Sequence, residues 1–467
     1  MQQKIKFGTD GWRAIIADDY TVANLARVAK ATALWLKKNT DNPTLTVGYD
    51  CRFGGVLFSE TVIKVVTAEG VKVFYDKNFV STPMISLATF NHKCLLGVII
   101  TASHNPPTYN GFKLKAHYGG PATPTVIQQV EDLIPDTCEL PAISLEELEA
   151  KGLLVYENFE EMYYQHVLKG FDIDKINQSG IKIAYDAMYG AGQRVFKRLI
   201  PHARHLHCEY NPSFYGRAPE PIHKNLMELS DLIRQSGDIA LGVANDGDAD
   251  RIGLYDNEGK FIDAHHILLL LIHILYKYNN LRGKVVVAFS ASPKIKKMCK
   301  AYGIDVEITK IGFKYISEIM IHDDVLVGGE ESGGIAVKGH IPERDGIWDA
   351  LVVLEYMAKS GKSIKQLIDE VYEVVGAFSY NRNDLHLTEE VKLNIIDNCS
   401  KGVYKAFGSY AIEQVETIDG FKYYLPNECN VMIRASGTEP VLRVYAEAPT
   451  MEEVNKILEE TKATLLA

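Results

Sequence analysis

Leu45-Thr46-Val47-Gly48-Tyr49-Asp50, Ile181-Lys182-Ile183-Ala184-Tyr185-Asp186 and Val285-Val286-Val287-Ala288-Phe289-Ser290 share one pattern. Each is an apolar run, a small residue, an aromatic residue and a short polar residue. The first two are followed by Gly54-Gly55 and Gly190-Ala191-Gly192. These glycines suit a turn at the C-terminal edge of a sheet, where open α/β folds place ligands. The echo predicts divergent repeats of one strand-and-helix unit.

The surrounding sequence has the same texture. Thr44 to Tyr49 and Leu95 to Ile100 read as strands, and Thr21 to Lys38 carries Val22, Leu25, Ala29, Ala33 and Leu36 on one helical stripe. Short β-branched runs alternating with helical segments predict βαβ units around a largely parallel sheet. Pro135 to Pro141 and Glu157 to Glu161 form a polar transition before Phe171, and Asn257 to Lys260 reads as a turn. After about residue 370 the texture changes: strand-like Tyr423 to Leu425, Asn430 to Ile433 and Leu442 to Ala446 surround a glycine loop. A helix then starts at Thr450 with Glu453 as a capping-box partner and carries Val454, Ile457, Leu458 and Leu465 on one face. That predicts a small α+β terminal domain.

A chain of 467 residues is expected to divide into about three domains, at roughly 150 residues each. Apolar residues make up 46% and charged residues 24%, enough to bury sizeable cores. With 50 Lys and Arg against 60 Asp and Glu, the net charge of −10 provides no global basic field for nucleic acid or an anionic membrane. An anionic ligand has to be held by local cations. Seven scattered cysteines without a C-x-x-C pair argue against a disulfide framework or thiolate zinc site and fit a reducing cytoplasm. No apolar signal core precedes Asp10, so no secretory peptide is expected. The apolar stretch Ile267 to Tyr276 is about half as long as a membrane crossing needs and reads as a buried helix.

Four segments carry chemistry. Leu95 to Ile100 runs into Thr101-Ala102-Ser103-His104-Asn105-Pro106-Pro107, where the prolines end regular structure and hold Ser103 in a stiff loop, with its hydroxyl free to face a cleft. A plain Asn-Pro turn would look the same. The surroundings of Ser103 lack the G-x-S-x-G elbow of an α/β-hydrolase. Next, Ala240 to Asn245 leads into Asp246-Gly247-Asp248-Ala249-Asp250-Arg251. In an extended run the three aspartates would point to one side. Three such carboxylates repel one another without a hard cation, and oxygen donors lacking His or Cys favour Mg²⁺ or Ca²⁺. An EF-hand loop would need glycine and glutamate where Arg251 and Asn257 stand.

The third segment, Gly328-Gly329-Glu330-Glu331-Ser332-Gly333-Gly334, offers an acceptor and a two-way hydrogen-bonding group suited to sugar hydroxyls. A glycine-rich surface turn is the alternative reading. The fourth, Arg434-Ala435-Ser436-Gly437-Thr438-Glu439-Pro440 with Arg443, brings together two hydroxyls, a glycine and two guanidiniums, which suit a phosphate cradle; a plain β-turn with surface arginines is the alternative reading.

In this order, the four segments resemble the signature loops of the α-D-phosphohexomutase family, which includes phosphoglucomutases, phosphomannomutases and phosphoglucosamine mutases. Phe7-Gly8-Thr9-Asp10-Gly11-Trp12-Arg13 resembles the family's N-terminal segment, so the resemblance spans nearly the whole chain. It implies three similar mixed α/β sheet domains and a smaller α+β C-terminal domain around a central cleft. The expected domains are 1–155 with the serine loop, 156–257 with the metal loop, 258–370 with the sugar loop and 371–467 with the phosphate loop.

The resemblance further implies that Ser103 is a phosphoserine and that Asp246, Asp248 and Asp250 bind Mg²⁺ together with an oxygen of its phosphate. Arg13, Lys113 and Arg251 would stabilise the transferring group, with His104, Lys113 and Lys314 as alternative proton carriers. Glu330 and Ser332 would read the sugar. Arg434, Ser436, Gly437, Thr438 and Arg443 would hold the second phosphate. Lys314 and His340, the latter in Gly339-His340-Ile341-Pro342-Glu343-Arg344-Asp345-Gly346, are further expected substrate contacts, and many relatives carry lysine where Arg344 stands. The expected reaction moves a phosphoryl group between C1 and C6 of a hexose phosphate through a 1,6-bisphosphate, with glucose 1,6-bisphosphate as intermediate and activator. Glucose phosphate is the first-choice substrate. Mannose phosphate and glucosamine phosphate are the alternatives, although phosphoglucosamine mutases share a Glu-Gln-Ser-Gly-His loop unlike Glu330 to Gly334. A phosphoserine phosphatase is the competing reaction class. The expected protein is a cytoplasmic monomer or homodimer without nucleic-acid or membrane partners.

Overall fold

The computed structural model describes residues 4–435 and 441–467. The repeat read from the sequence is real at the level of strands. Thr44–Tyr49 pairs in parallel with Leu96–Ile100, Ile183–Asp186 with Leu241–Asn245, and Lys284–Ala288 with Val325–Gly329. In each case the second strand turns back into an antiparallel neighbour: Tyr109–Ala116, Ile252–Tyr255 and Ile335–Val337, respectively. The serine, aspartate and glutamate segments are the three turns of these hairpins. One device therefore puts three chemically different loops at the C-terminal ends of parallel strands, the edge that open α/β sheets use for ligands.

The sheets that carry these three hairpins are mixed, and the architecture has four domains. In the first sheet, Trp12–Ile15, Tyr109–Ala116, Leu96–Ile100, Thr44–Tyr49, Lys72–Tyr75 and Leu154–Tyr156 follow one another in space. Its central strands are buried on both faces, which explains their continuous apolar runs. The helix Val22–Asn39 covers the sheet with Leu25, Val28, Ala29 and Leu36, and the Thr21 side chain accepts the Asn24 N–H as its N-cap. The apolar stretch beginning at Ile267 lies in the fully buried helix Ala264–His273, which passes into a π-helical turn at Ile274–Tyr278. Among the described residues, no helix is long and apolar enough to cross a membrane.

The chain packs as two compact units. The larger comprises the chain up to Val287, Ile304–Glu307 and Gly312–Ile368. The smaller comprises Ala288–Gly303, Ile308–Ile311 and Asp369–Ala467. In the smaller unit an antiparallel sheet orders Ser379–His386, Val441–Ala448, Cys429–Ala435, Phe421–Leu425 and Gln414–Glu416. The helix Met451–Leu466 buries Val454, Ile457, Leu458 and Leu465, as its sequence stripe predicts, and Thr450 accepts the Glu453 N–H.

Leu268 in the buried helix has no solvent exposure and lies where a Cβ on Gly329 would fall, 2.4 Å from its Cδ2. Leu268→Ala is expected to lower unfolding stability by about 2–5 kcal/mol through lost transfer energy and a residual cavity, as measured by urea denaturation.

Candidate active site

The serine loop is built from behind by Arg52. Its guanidinium donates to the carbonyls of Ser103, Asn105 (2.6 Å), Pro106 (2.9 Å) and Tyr109 (3.2 Å). Asp50 faces its Nε at 3.3 Å, and the Phe214 ring lies 5.0 Å from its central carbon. Asp50 also accepts from the Thr101 hydroxyl at 2.5 Å, and Thr101 accepts the Ser103 N–H at 2.9 Å. Burial pushes the Asp50 carboxyl up to about 6 despite the Arg52 cation. The loop holds Ser103 in the left-handed region at φ 52°, a strained conformation for a residue with a Cβ.

Ser103 is buried, and its hydroxyl donates to Asp246 Oδ2 at 2.7 Å. This side chain therefore meets the carboxylate trio supplied by the second hairpin. The aspartates converge differently from the extended run expected. Residues 246–250 form a tight turn, with Ala249 at φ 57°, and the N–H groups of Asp250 and Arg251 donate to Asp246 Oδ1 at 3.0 and 3.1 Å. The turn still brings one carboxylate oxygen from each of Asp246, Asp248 and Asp250 within 4.8 Å of the others. Gly247 permits the approach of the two loops, since a Cβ there would lie 2.5 Å from the Ser103 carbonyl oxygen.

All three carboxylates are fully buried. Desolvation, followed by the charges of Asp248 and Asp250, drives the Asp246 carboxyl well above the ordinary range. Asp248 goes the other way: against desolvation, the Lys113 ammonium at 2.8 Å and the Thr82 hydroxyl at 2.5 Å hold it ionised. Asp248 Oδ1 and Asp250 Oδ1 are buried without a hydrogen-bond partner. Buried carboxylate oxygens are ordinarily satisfied, so this oxygen-only set with two spare acceptors fits a hard divalent cation.

Cations surround the trio. Lys113 pairs with Asp10 (2.8 Å), Asp248 (2.8 Å) and Asp250 (3.3 Å). These charges outweigh desolvation and push its ammonium above its usual range, so Lys113 is a fixed cation. Arg344 pairs with Asp10 and Asp250, each at 2.7 Å. Arg13 donates to Asn105 Oδ1 at 2.8 Å and faces Asp10 at 3.3 Å, while Arg251 Nε lies 4.0 Å from Asp246. His104 Nδ1 is 3.4 Å from Ser103 Oγ. Desolvation and the Arg251 and Arg13 cations hold this imidazole well below its ordinary value, hence neutral at pH 7.

The third hairpin adds Glu330, which accepts the Gly312 N–H at 2.9 Å. Burial pushes its carboxyl up to about 7. This turn is joined to the aspartate turn: the Ile252 N–H donates to the Gly333 carbonyl at 3.0 Å, and Arg251 bridges to Gly334. Gly333 has φ 88°, and a Cβ there would lie 2.6 Å from the Ile252 carbonyl oxygen. Ser332 sits half-buried in the same turn. Lys314 is the second residue of the helix Phe313–His322, with its ammonium 5.4 Å from the Tyr315 ring.

His340, expected as a substrate contact, is instead enclosed by its neighbours. Its imidazole stacks on Trp348 at 4.0 Å, its Nε2 is 3.0 Å from Asp345 Oδ2, and its Nδ1 is 3.0 Å from His166. Both ring nitrogens are engaged and the side chain is sealed, so it has no atom to offer a sugar. In the smaller unit Arg434 and Arg443 stand directly opposite each other on neighbouring strands. Arg434 Nε lies 3.5 Å from Asp419 Oδ1. Ser436, Gly437 and Thr438 lie outside the described residues.

Asp10 joins the site from a segment whose spacing carries no sign of that role. Arg52 and Thr82 join it only through loops distant in sequence.

Models of the phosphoglucomutase/phosphomannomutase domains match in order: α/β/α domain I at residues 4–139, domain II at 161–259, domain III at 263–375 and the C-terminal domain at 400–464. The chain belongs to the phosphoglucomutase/phosphomannomutase family. It is 29% identical over 461 residues to a phosphoglucomutase/phosphomannomutase of Thermococcus kodakarensis, covering 97% of this chain and 96% of that protein. It is 30% identical over 471 residues to a phosphoglucosamine mutase of Finegoldia magna, covering 98% and 97%. A solved structure from Thermus thermophilus, bearing the name putative phosphomannomutase, matches with a TM-score of 0.87 and 31% identity, covering 100% of both chains. This phosphohexomutase therefore has a hexose phosphate as its class of substrate.

The raised Glu330 carboxyl makes a pH prediction. Its contribution to stability is fully present below the ordinary value of 4.5 and is lost as pH rises through about 7. Relative to Glu330→Gln, the parent protein is expected to lose about 3 kcal/mol of stability between those limits, read from paired denaturation curves at several pH values. Parallel curves would remove Glu330 from that role.

Proposed function

We propose that Ser103 carries the phosphoryl group exchanged with the hexose phosphate. The observation that carries this reading is the 2.7 Å contact of its hydroxyl with Asp246, beside two buried carboxylate oxygens that lack partners. Asp246, Asp248 and Asp250 would hold Mg²⁺, which when bound supplies positive charge to phosphoryl oxygens that three carboxylates would otherwise repel. Lys113, Arg251 and Arg13 are the protein's own cations for that group, and their ion pairs support a fixed electrostatic environment.

In the forward step the bond between Ser103 Oγ and phosphorus breaks, and a free hydroxyl oxygen of the hexose monophosphate takes the phosphoryl group. The hydroxyl proton ends on Ser103 Oγ. His104 is our choice of carrier because its imidazole is neutral and 3.4 Å from that oxygen, whereas Lys113 is locked as a cation. The resulting 1,6-bisphosphate reorients and returns its other phosphate to Ser103. Glu330 and Ser332 would hold ring hydroxyls. Arg434, Ser436, Gly437, Thr438 and Arg443 would hold the phosphate that stays, a reading supported by the facing arginines. The chain would comprise four domains, 1–155, 156–257, 258–370 and 371–467, each supplying one of these loops.

Glucose phosphate, first choice from the sequence, gives way here to mannose phosphate and glucosamine phosphate. The names of relatives about 30% identical over the full chain support both alternatives. We place mannose phosphate first, because Gly334 stands where the phosphoglucosamine mutase loop carries histidine. A phosphatase reading is weaker, since water needs neither a sugar-reading turn nor a second phosphate cradle.

Ser103→Ala is expected to abolish conversion of mannose 1-phosphate to mannose 6-phosphate while leaving the thermal melt unchanged. Substantial residual turnover would eliminate the phosphoserine step. Side-by-side kcat/KM values for mannose, glucosamine and glucose 1-phosphates are expected to fall in that order, and a leading glucose value would overturn the substrate choice.

A further inference from the structure

The strand Tyr109–Ala116 carries a second buried lysine. Lys115 lies two residues beyond Lys113, so the two side chains leave the same face of the strand. Lys113 addresses Asp10, Asp248 and Asp250, whereas Lys115 pairs with Glu343 at 2.7 Å, with neither side chain exposed. The Ser86 hydroxyl donates to the same Glu343 oxygen at 2.7 Å. The other oxygen accepts the Arg344 backbone N–H at 3.2 Å and lies 3.7 Å from the Arg344 Nε. Arg344 then reaches Asp10 and Asp250. Its loop is also seated through its backbone: the Ser317 hydroxyl donates to the Pro342 carbonyl at 3.3 Å, and a Cβ on Gly120 would fall 2.5 Å from that oxygen.

A fully buried ion pair contributes little stability relative to apolar residues of the same size, because desolvation offsets the attraction. What it does supply is a fixed geometry. We propose that Lys115 and Glu343 are positioning residues that hold the Arg344 guanidinium against Asp10 and Asp250, so that one strand sets two cations of the active site with alternate lysines. The inference deepens the phosphoryl-transfer reading above and rests on it.

The test compares Ser86→Ala/Lys115→Met/Glu343→Met, which removes the pair together with the Ser86 hydroxyl and leaves only the Arg344 backbone N–H without its acceptor, in the parent and in an Arg344→Ala background. With mannose 1-phosphate, kcat is expected to fall on the order of 10- to 100-fold in the parent background, with KM and the thermal melt nearly unchanged. In the Arg344→Ala background the same three substitutions are expected to change kcat by less than about 2-fold, because the group they position is gone. An equal loss in both backgrounds, or none in either, overturns the inference. If the triple variant does not fold, Glu343→Gln is read in the same two backgrounds and judged by the same criterion. An unsubstituted protein that converts no hexose 1-phosphate overturns the functional reading itself, and the inference with it.

Discussion

The active site depends on keeping like charges together. Asp246, Asp248 and Asp250 stand without solvent, and Asp10 lies at their edge. A cluster of this kind survives only if positive charge is delivered to within a few ångströms and held there. Lys113 and Arg344 each contact both Asp10 and Asp250, so each carboxylate is shared between two cations. Asp248 Oδ1 and Asp250 Oδ1 keep no hydrogen-bond partner among these cations.

The fold meets this requirement by repetition. Three parallel strands end in hairpin turns, and each turn has one kind of content: a hydroxyl, a set of carboxylates, or a buried glutamate. Turns are mobile where they lack internal hydrogen bonds, but these are cross-tied. Thr82 donates its backbone N–H to the Asp248 carbonyl, and Ile252 donates to Gly333. The aspartate turn is thereby fastened to elements on either side, and the glycines at 247 and 333 let the backbones come that close.

Much of this was legible in the sequence because it is local. Strand period, helix stripes and the three spaced aspartates are patterns within a dozen residues. The convergence of the aspartates was anticipated for the wrong reason: Ala249 takes a left-handed conformation that propensity gives no cause to expect, and the turn's own N–H groups stabilise it. His340 was misread because its neighbours come from elsewhere. His166, Trp348 and Asp345 enclose it, and no property of Gly339 to Gly346 announces that stack. Arg52 was overlooked for the same reason, since its partners lie about 50 residues downstream. Local spacing reveals which groups are present, while long-range packing decides which of them are free to react.

Arg52 has a mechanical corollary. With four carbonyls of the 103–109 segment gathered onto one guanidinium, the backbone carrying Ser103 has little slack to absorb a change in what its oxygen bears. A bulkier substituent on that oxygen must be accommodated by side chains and solvent in front of it. The anchorage of the loop backbone then stays in register whatever that oxygen carries.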